Sequence, residues 1–81
     1  MPELYEVLYT IPAYELDVVN DKVVRFRFWD ADREWHYTET VQVSDIDFVG
    51  DYVIVAGYSE VLNDKDEWHL HESADVEVLG G

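Results

Sequence analysis

The chain has no cysteine. That excludes a disulfide framework and a thiolate metal site. It also fits a reducing compartment, and the cytoplasm is the expected location. Basic residues are scarce: 5 lysines and arginines stand against 19 acids, for a formal net charge of -14. A surface this negative repels nucleic acid and anionic membranes, so neither is an expected partner. No apolar run reaches the roughly 20 residues of a membrane-spanning helix. The opening Met1-Pro2-Glu3-Leu4-Tyr5-Glu6 lacks the basic and apolar regions of a signal peptide. There is no glycine-rich phosphate loop, and neither a Ser-His-Asp nor a Cys-His arrangement stands out. Nearly every carboxylate falls in a turn or on a polar face, where water keeps it ionised. The expectation is a protein without enzymatic activity and without a cofactor.

What is present is core-forming. Of 81 residues, 48% are hydrophobic and 15% aromatic, which sets the chain apart from a disordered acidic tail. The length allows one domain, residues 1–81. Within it a stretch returns. Glu34-Trp35-His36-Tyr37 comes back as Glu67-Trp68-His69-Leu70, and Ser44-Asp45-Ile46-Asp47-Phe48-Val49-Gly50 as Ala74-Asp75-Val76-Glu77-Val78-Leu79-Gly80. Residues 22–50 and 52–80 therefore read as one β-β-β unit used twice.

Along the chain, the apolar residues of Pro2 to Pro12 fit a strand or a short helix, and the β-branched and aromatic content favours the strand. Ala13 to Trp29 reads as a hairpin over Asn20-Asp21-Lys22. It would set Val18 opposite Val24, Leu16 opposite Phe26 and Tyr14 opposite Phe28, with Asp17–Arg25 and Glu15–Arg27 as outer charge pairs. A second hairpin over Asp30-Ala31-Asp32-Arg33 sets Phe28 against Trp35 and Phe26 against Tyr37. Trp35, Tyr37, Val41 and Val43 share its inward face. Glu39 falls on that face too, which predicts a bulge there or a place on a barrel rim. A third hairpin turns at Gly50-Asp51, where glycine first signals a type II′ turn, and sets Phe48 against Val53 and Ile46 against Val55. Val49, Tyr52 and Ile54 make its other face partly apolar, as for a central or covered strand pair. A fourth closes over Asn63-Asp64-Lys65-Asp66, with Val61 opposite Trp68. Val76 to Leu79 is a last short strand. Short alternating strands with regular turns predict an all-β fold: a small antiparallel meander, a partly closed barrel or sandwich of about six or seven strands.

His69 and His71 stand at i and i+2, so both imidazoles leave one face of a strand. With Glu60 expected opposite His69 and Tyr58 opposite His71, they are the candidate metal ligands. Two histidines fall short of a four-ligand zinc site, and ordinary surface histidines are the simpler reading. Arg25 and Arg27 alternate with Phe26 and Phe28, but the single-strand binding strategy needs a positive groove with exposed rings.

The carboxylates carry the main expectation. Asp30/Asp32, Asp45/Asp47, Asp64/Asp66 and Asp75/Glu77 are all i, i+2 pairs. On a strand such a pair projects two charges to one side about 6.6 Å apart, close to the interval between neighbouring phosphates. Asp51 and Glu67 add to the set, and Trp29, Tyr52 and Tyr58 are candidate anchors. The expected partner is a basic nucleic-acid-binding protein whose cationic channel the acids would occupy. In composition alone, the chain resembles small acidic phage-encoded inhibitors of host defence nucleases, including DNA-mimic anti-restriction and anti-CRISPR proteins. That resemblance implies competition with nucleic acid in the host cytoplasm. The alternative is a β-domain adaptor or subunit from a salt-loving organism, whose acidic coat is a solubility adaptation. A metal-binding module is the third. Tyr5 and Tyr9 on one side of the first strand would favour a homodimer.

Overall fold

A computed structural model describes residues 5–80. Six antiparallel strands form one sheet: β1 (Glu6–Pro12), β2 (Val23–Asp30), β3 (Trp35–Val49), β4 (Tyr52–Ser59), β5 (Asp64–His71) and β6 (Asp75–Gly80). Their order across the sheet is β1-β6-β2-β3-β4-β5. The all-β antiparallel expectation holds, and the first segment is a strand. The sheet is not closed into a barrel. It is strongly curled instead: Phe26 on β2 packs edge-on against Trp68 on β5, with ring centroids 6.0 Å apart, although two strands lie between them. Among the described residues, no helix is long and apolar enough to cross a membrane.

The inner face of the curl is the core. Val24, Phe26, Val41, Val53, Val55, Trp68, Leu70, Val76 and Val78 are buried there, joined by Ala13 and Leu16. Those last two belong to the segment between β1 and β2, which is not the first arm of a hairpin. Ala13–Glu15 is a single 3-10 turn, tied to the β5–β6 turn by hydrogen bonds from the Ala13 and Tyr14 amides to the Ala74 and Glu72 carbonyls, 2.9 and 3.0 Å. Asp21, buried, then folds the loop: its carboxylate accepts the Asp17 amide at 2.8 Å and the Tyr9 hydroxyl at 2.5 Å. The strand that β2 was expected to find next door comes from the far end of the chain. β6 pairs Val78 with Val24 and Val76 with Phe26. The outer partner of Arg25 is accordingly Glu77, at 2.8 Å, and not Asp17.

The later hairpins keep their expected faces but not all keep their register. β3 and β4 pair as expected around Gly50-Asp51, with Phe48 opposite Val53 and Ile46 opposite Val55. Gly50 has φ +59° while Asp51 does not take a positive φ, the pattern of a type II′ turn. β2 and β3 slip by two residues from expectation: Phe28 faces Tyr37 and Phe26 faces Glu39. The turn is 31–34, and Glu34 takes the left-handed conformation at φ 56°. β4 and β5 slip by six residues, because the turn falls at 60–63 and not over Asn63-Asp64-Lys65-Asp66. Asn63 takes φ 56°, and Trp68 faces Val55. A slip by an even number of residues preserves which side chains face inward, so the inward faces stay as expected in both hairpins.

Glu39 is no bulge. Its pairing with Phe26 is regular, and the residue is 0% exposed in the middle of the inner face. The bulge lies five residues on, between Val43 and Asp45, where Ser44 is the extra residue. It exchanges the faces: Val41 and Val43 point inward before it, Ile46 and Phe48 after it. A second bulge, at Leu8 between Val7 and Tyr9, breaks the alternation on β1. Tyr5 and Tyr9 then serve different ends of the molecule. Tyr5 donates to Glu60 at 2.7 Å and Tyr9 to Asp21. The two Glu-Trp-His words also occupy different settings. Trp35, the first residue of β3, is 51% exposed, and Trp68, mid-strand in β5, is 2% exposed.

Candidate functional site

Strand register decides which acids share a face. Even-numbered residues of β5 face inward with Trp68 and Leu70, so Asp64 and Asp66 lie on the inner side, opposite Ser59 and Gly57. Asp30 and Asp32 are not a strand pair. Asp30 ends β2 and accepts the amides of Asp32 and Arg33 at 3.0 and 3.3 Å, so it shapes the turn. The Arg33 guanidinium stands 3.9 Å away. Asp75 and Glu77 are on the outer face, and Glu77 is neutralised by Arg25. Asp45 and Asp47 are on the outer face too, beyond the Ser44 bulge. The four carboxylate pairs are therefore split between two faces and a turn, and they do not make one array.

One region of the outer face does gather candidates. On β4, Tyr52, Ile54, Ala56 and Tyr58 point outward in a row, the complement of inward Val53, Val55, Gly57 and Ser59. Across from them on β3 stand Asp47 opposite Ile54 and Asp45 opposite Ala56. On the other side, Glu67 lies opposite Ala56, His69 opposite Ile54, and His71 opposite Tyr52. An apolar stripe is thus rimmed by Asp45, Asp47 and Glu67, with Lys65 opposite Tyr58 as the one cation of the β5 rim beside the two histidines. Asp45 and Asp47 are about 6.6 Å apart along β3, and Glu67 is about 10 Å away across two strand spacings. Asp51, exposed at the hairpin tip, adds a fourth carboxylate at the end of the stripe. Its main chain is structural, accepting the Glu72 amide at 2.9 Å. Both anchors are oriented: Tyr52 sits edge-on to His71, and the Tyr58 hydroxyl donates to Asn63.

Trp29 is elsewhere. It stacks at a tilt on His36, centroids 4.9 Å apart, at the far end of β2. His69 and His71 do share a face, but Glu60 and Tyr58 are not across from them. Their neighbours are Ile54 and Tyr52. His69 instead approaches Glu67 at 3.7 Å, and His71 Nδ1 pairs with the Ser73 hydroxyl at 2.7 Å. Among the described residues no group of three or more ligating side chains could hold a metal ion.

Glu39 is the group that sequence reasoning flagged without placing. Its Oε1 accepts the Ser59 hydroxyl, and its Oε2, fully buried, has no hydrogen-bond partner. Burial pushes its carboxyl above the usual carboxylate range, and the nearby Asp66 charge adds to the rise. Ser59 relays the contact outward, accepting the Leu62 amide at 2.9 Å in the β4–β5 turn. No family model, curated protein or solved structure matches the chain.

Proposed function

We propose that the protein is a non-enzymatic acidic binding protein that occupies the cationic nucleic-acid channel of a basic partner and competes there with nucleic acid. The supporting observation is the outer face of β3–β5, where Asp45, Asp47 and Glu67 rim the stripe of Tyr52, Ile54, Ala56 and Tyr58. An apolar centre with a polar rim is the usual anatomy of a protein interface. The acids steer a cationic surface into place and reject acidic ones. The tyrosines supply contact area at low conformational cost. Acids on the inner side and in turns, such as Asp64, Asp66 and Asp30, add to the long-range field without touching the partner. An inhibitor of a nuclease that must grip DNA or RNA is the biological form this activity takes.

Displacement of labelled duplex DNA from a panel of basic DNA-binding proteins, read by fluorescence anisotropy, tests the reading. The parent displaces DNA from at least one member, and less so as salt rises. D45N/D47N/E67Q loses about tenfold or more. E15Q/D32N/E72Q, which removes the same charge from other exposed positions, keeps most of the activity. Equal losses in the two triples would reduce the effect to net charge, and no loss in the first would sink the reading.

A further inference from the structure

The curl of the sheet leaves a cleft where two strand edges face one another. β6 accompanies β2 only as far as Phe26, while β2 runs on to Asp30. Arg27 to Trp29 therefore have an open edge. β5 is the last strand of the sheet, and its final residues, His69 to His71, stand across the gap. The space between has a volume of about 320 Å³, at the small end of ligand pockets.

Its chemistry differs from the rest of the surface. Phe28 and Leu70, both on the inward-facing side of their strands, make an apolar floor. Arg27 and the Trp29–His36 stack form one wall, and His69 and His71 the other. All three histidines of the chain line this one cleft, and none of the acids among the described residues does. Neighbouring clefts carry carboxylates: Asp75 and Glu77 on the other side of Arg27, Asp66 beside Tyr58. Arg27 makes no ion pair among the described residues. The acid nearest the imidazoles is Glu67, 3.7 Å from His69. Among the described residues no group of three or more ligating side chains could hold a metal ion, and Ser73 occupies His71 Nδ1, which leaves Nε2 of that ring for a ligand.

We propose that this cleft binds a planar aromatic anion of about the size of a nucleoside monophosphate. Arg27 would pair with the phosphate or carboxylate, since guanidinium matches either in a two-pronged contact. The imidazoles add hydrogen bonds to the same group. The exposed face of Trp29 and the Phe28–Leu70 floor take the ring. A chain at -14 repels free anions, but that field is screened beyond about 8 Å at physiological salt. A ligand must therefore draw on both ring and charge at contact, and neither half suffices.

The test is an NMR titration of the whole protein, following the ring signals of His36, His69 and His71 and the indole of Trp29. Four probes are compared: AMP, 2-naphthoate, adenosine and inorganic phosphate. AMP, naphthoate or both shift these signals saturably below about 10 mM. AMP alone identifies a phosphate site and naphthoate alone a carboxylate site. Adenosine and phosphate bind about tenfold more weakly or worse. R27Q, at an exposed position without an ion pair among the described residues, folds normally and loses about tenfold in affinity, while R33Q in the β2–β3 turn binds like the parent. The proposal is overturned if no aromatic anion saturates, if adenosine or phosphate binds as tightly as AMP, or if R27Q is indistinguishable from the parent.

Discussion

Phe26 and Trp68 meet edge to face, with ring planes at 68°, although β3 and β4 separate their strands in the sheet. The contact is what converts a six-stranded ribbon into a curled shell with an inside. An open sheet of this width would leave its apolar face to water, since among the described residues no second layer of helix or sheet covers it. Trp68 supplies the largest fully buried side chain in the chain's core. Trp68→Ala should cost about 3–5 kcal/mol, the range for deleting a large buried aromatic. Trp29→Ala and Trp35→Ala, at exposed rings, should each cost under about 1 kcal/mol. Urea unfolding of the three variants checks the ranking. If Trp35→Ala proves as damaging as Trp68→Ala, the curl is not held as described.

Glu39 makes stability depend on pH in a definite direction. Its folded-state carboxyl is raised by burial, so the folded chain holds a proton that the unfolded chain has already released. Its contribution is fully present below the ordinary carboxylate range and is lost as pH rises through the raised value. Across that window the parent loses up to about 1.4 kcal/mol per pH unit from this one group. Glu39→Gln is neutral at every pH and keeps the Ser59 contact, so the difference between variant and parent should grow in favour of the variant from pH 4 upward. Chemical unfolding of both proteins from about pH 4 to pH 8 gives the difference curve. A flat difference would mean that Glu39 is ionised and solvated in the folded chain.

The parts of this fold that are legible in the sequence are local. Gly50-Asp51 specifies its own turn, and the β3–β4 register follows from it. The inward faces of β2, β3 and β5 are also legible, because alternation survives a slip by an even number of residues. The registers of the two longer hairpins are not, because Glu34 and Asn63 take a left-handed conformation that glycine would have advertised. The partner of β2 is not legible either. Val18, Leu16 and Tyr14 match Val24, Phe26 and Phe28 in pattern, but β6 wins the place from more than fifty residues away. Of the candidate site, the tyrosines and acids are legible one by one. Ile54, which joins them, is legible as part of a strand pair apolar on both sides, and Ala56 is not. Arg27 and the histidines meet because the sheet curls, and no spacing in the chain encodes that.

Gly57 is required for space and Gly50 for conformation, and the two should respond differently to alanine. A Cβ on Gly57 would lie 2.1 Å from the carbonyl oxygen of Gln42 and 3.0 Å from Val41. The Gln42 oxygen is backbone, beside the Ser44 bulge, and it cannot swing away. Gly57→Ala should cost about 3 kcal/mol or more by forcing β3 and β4 apart. A Cβ on Gly50 meets nothing within 4 Å, and only its φ of +59° is at stake. Gly50→Ala should cost about 1–2 kcal/mol. Thermal melts read the order. If Gly50→Ala is the more damaging, the close approach at the bulge is not present.

Salt should stabilise the protein modestly and early. Among the described residues only Arg25–Glu77 and Arg33–Asp30 pair arginine with an acid, so most of the 19 carboxylates repel one another across water. Repulsion over such distances is largely screened once the Debye length falls to about 8–10 Å, near 0.1–0.15 M salt. The core of Phe26, Trp68 and the buried valines does not depend on ions. The expected result is a protein folded in 10 mM salt (an order-of-magnitude starting point well below the screening range), with a Tm that rises by about 5–10 °C toward 0.3 M and then levels. Circular dichroism melts through about 3 M potassium chloride check this, since that far exceeds the screening range. A protein that folds only in molar salt would assign its acids to a brine-adapted coat. The outer face of β3–β5 would then need no cationic partner to explain its charge. Folding at low salt leaves Asp45, Asp47 and Glu67 as a cost that solubility alone does not require at this excess of charge. That outcome makes their placement around an apolar stripe the feature to be explained.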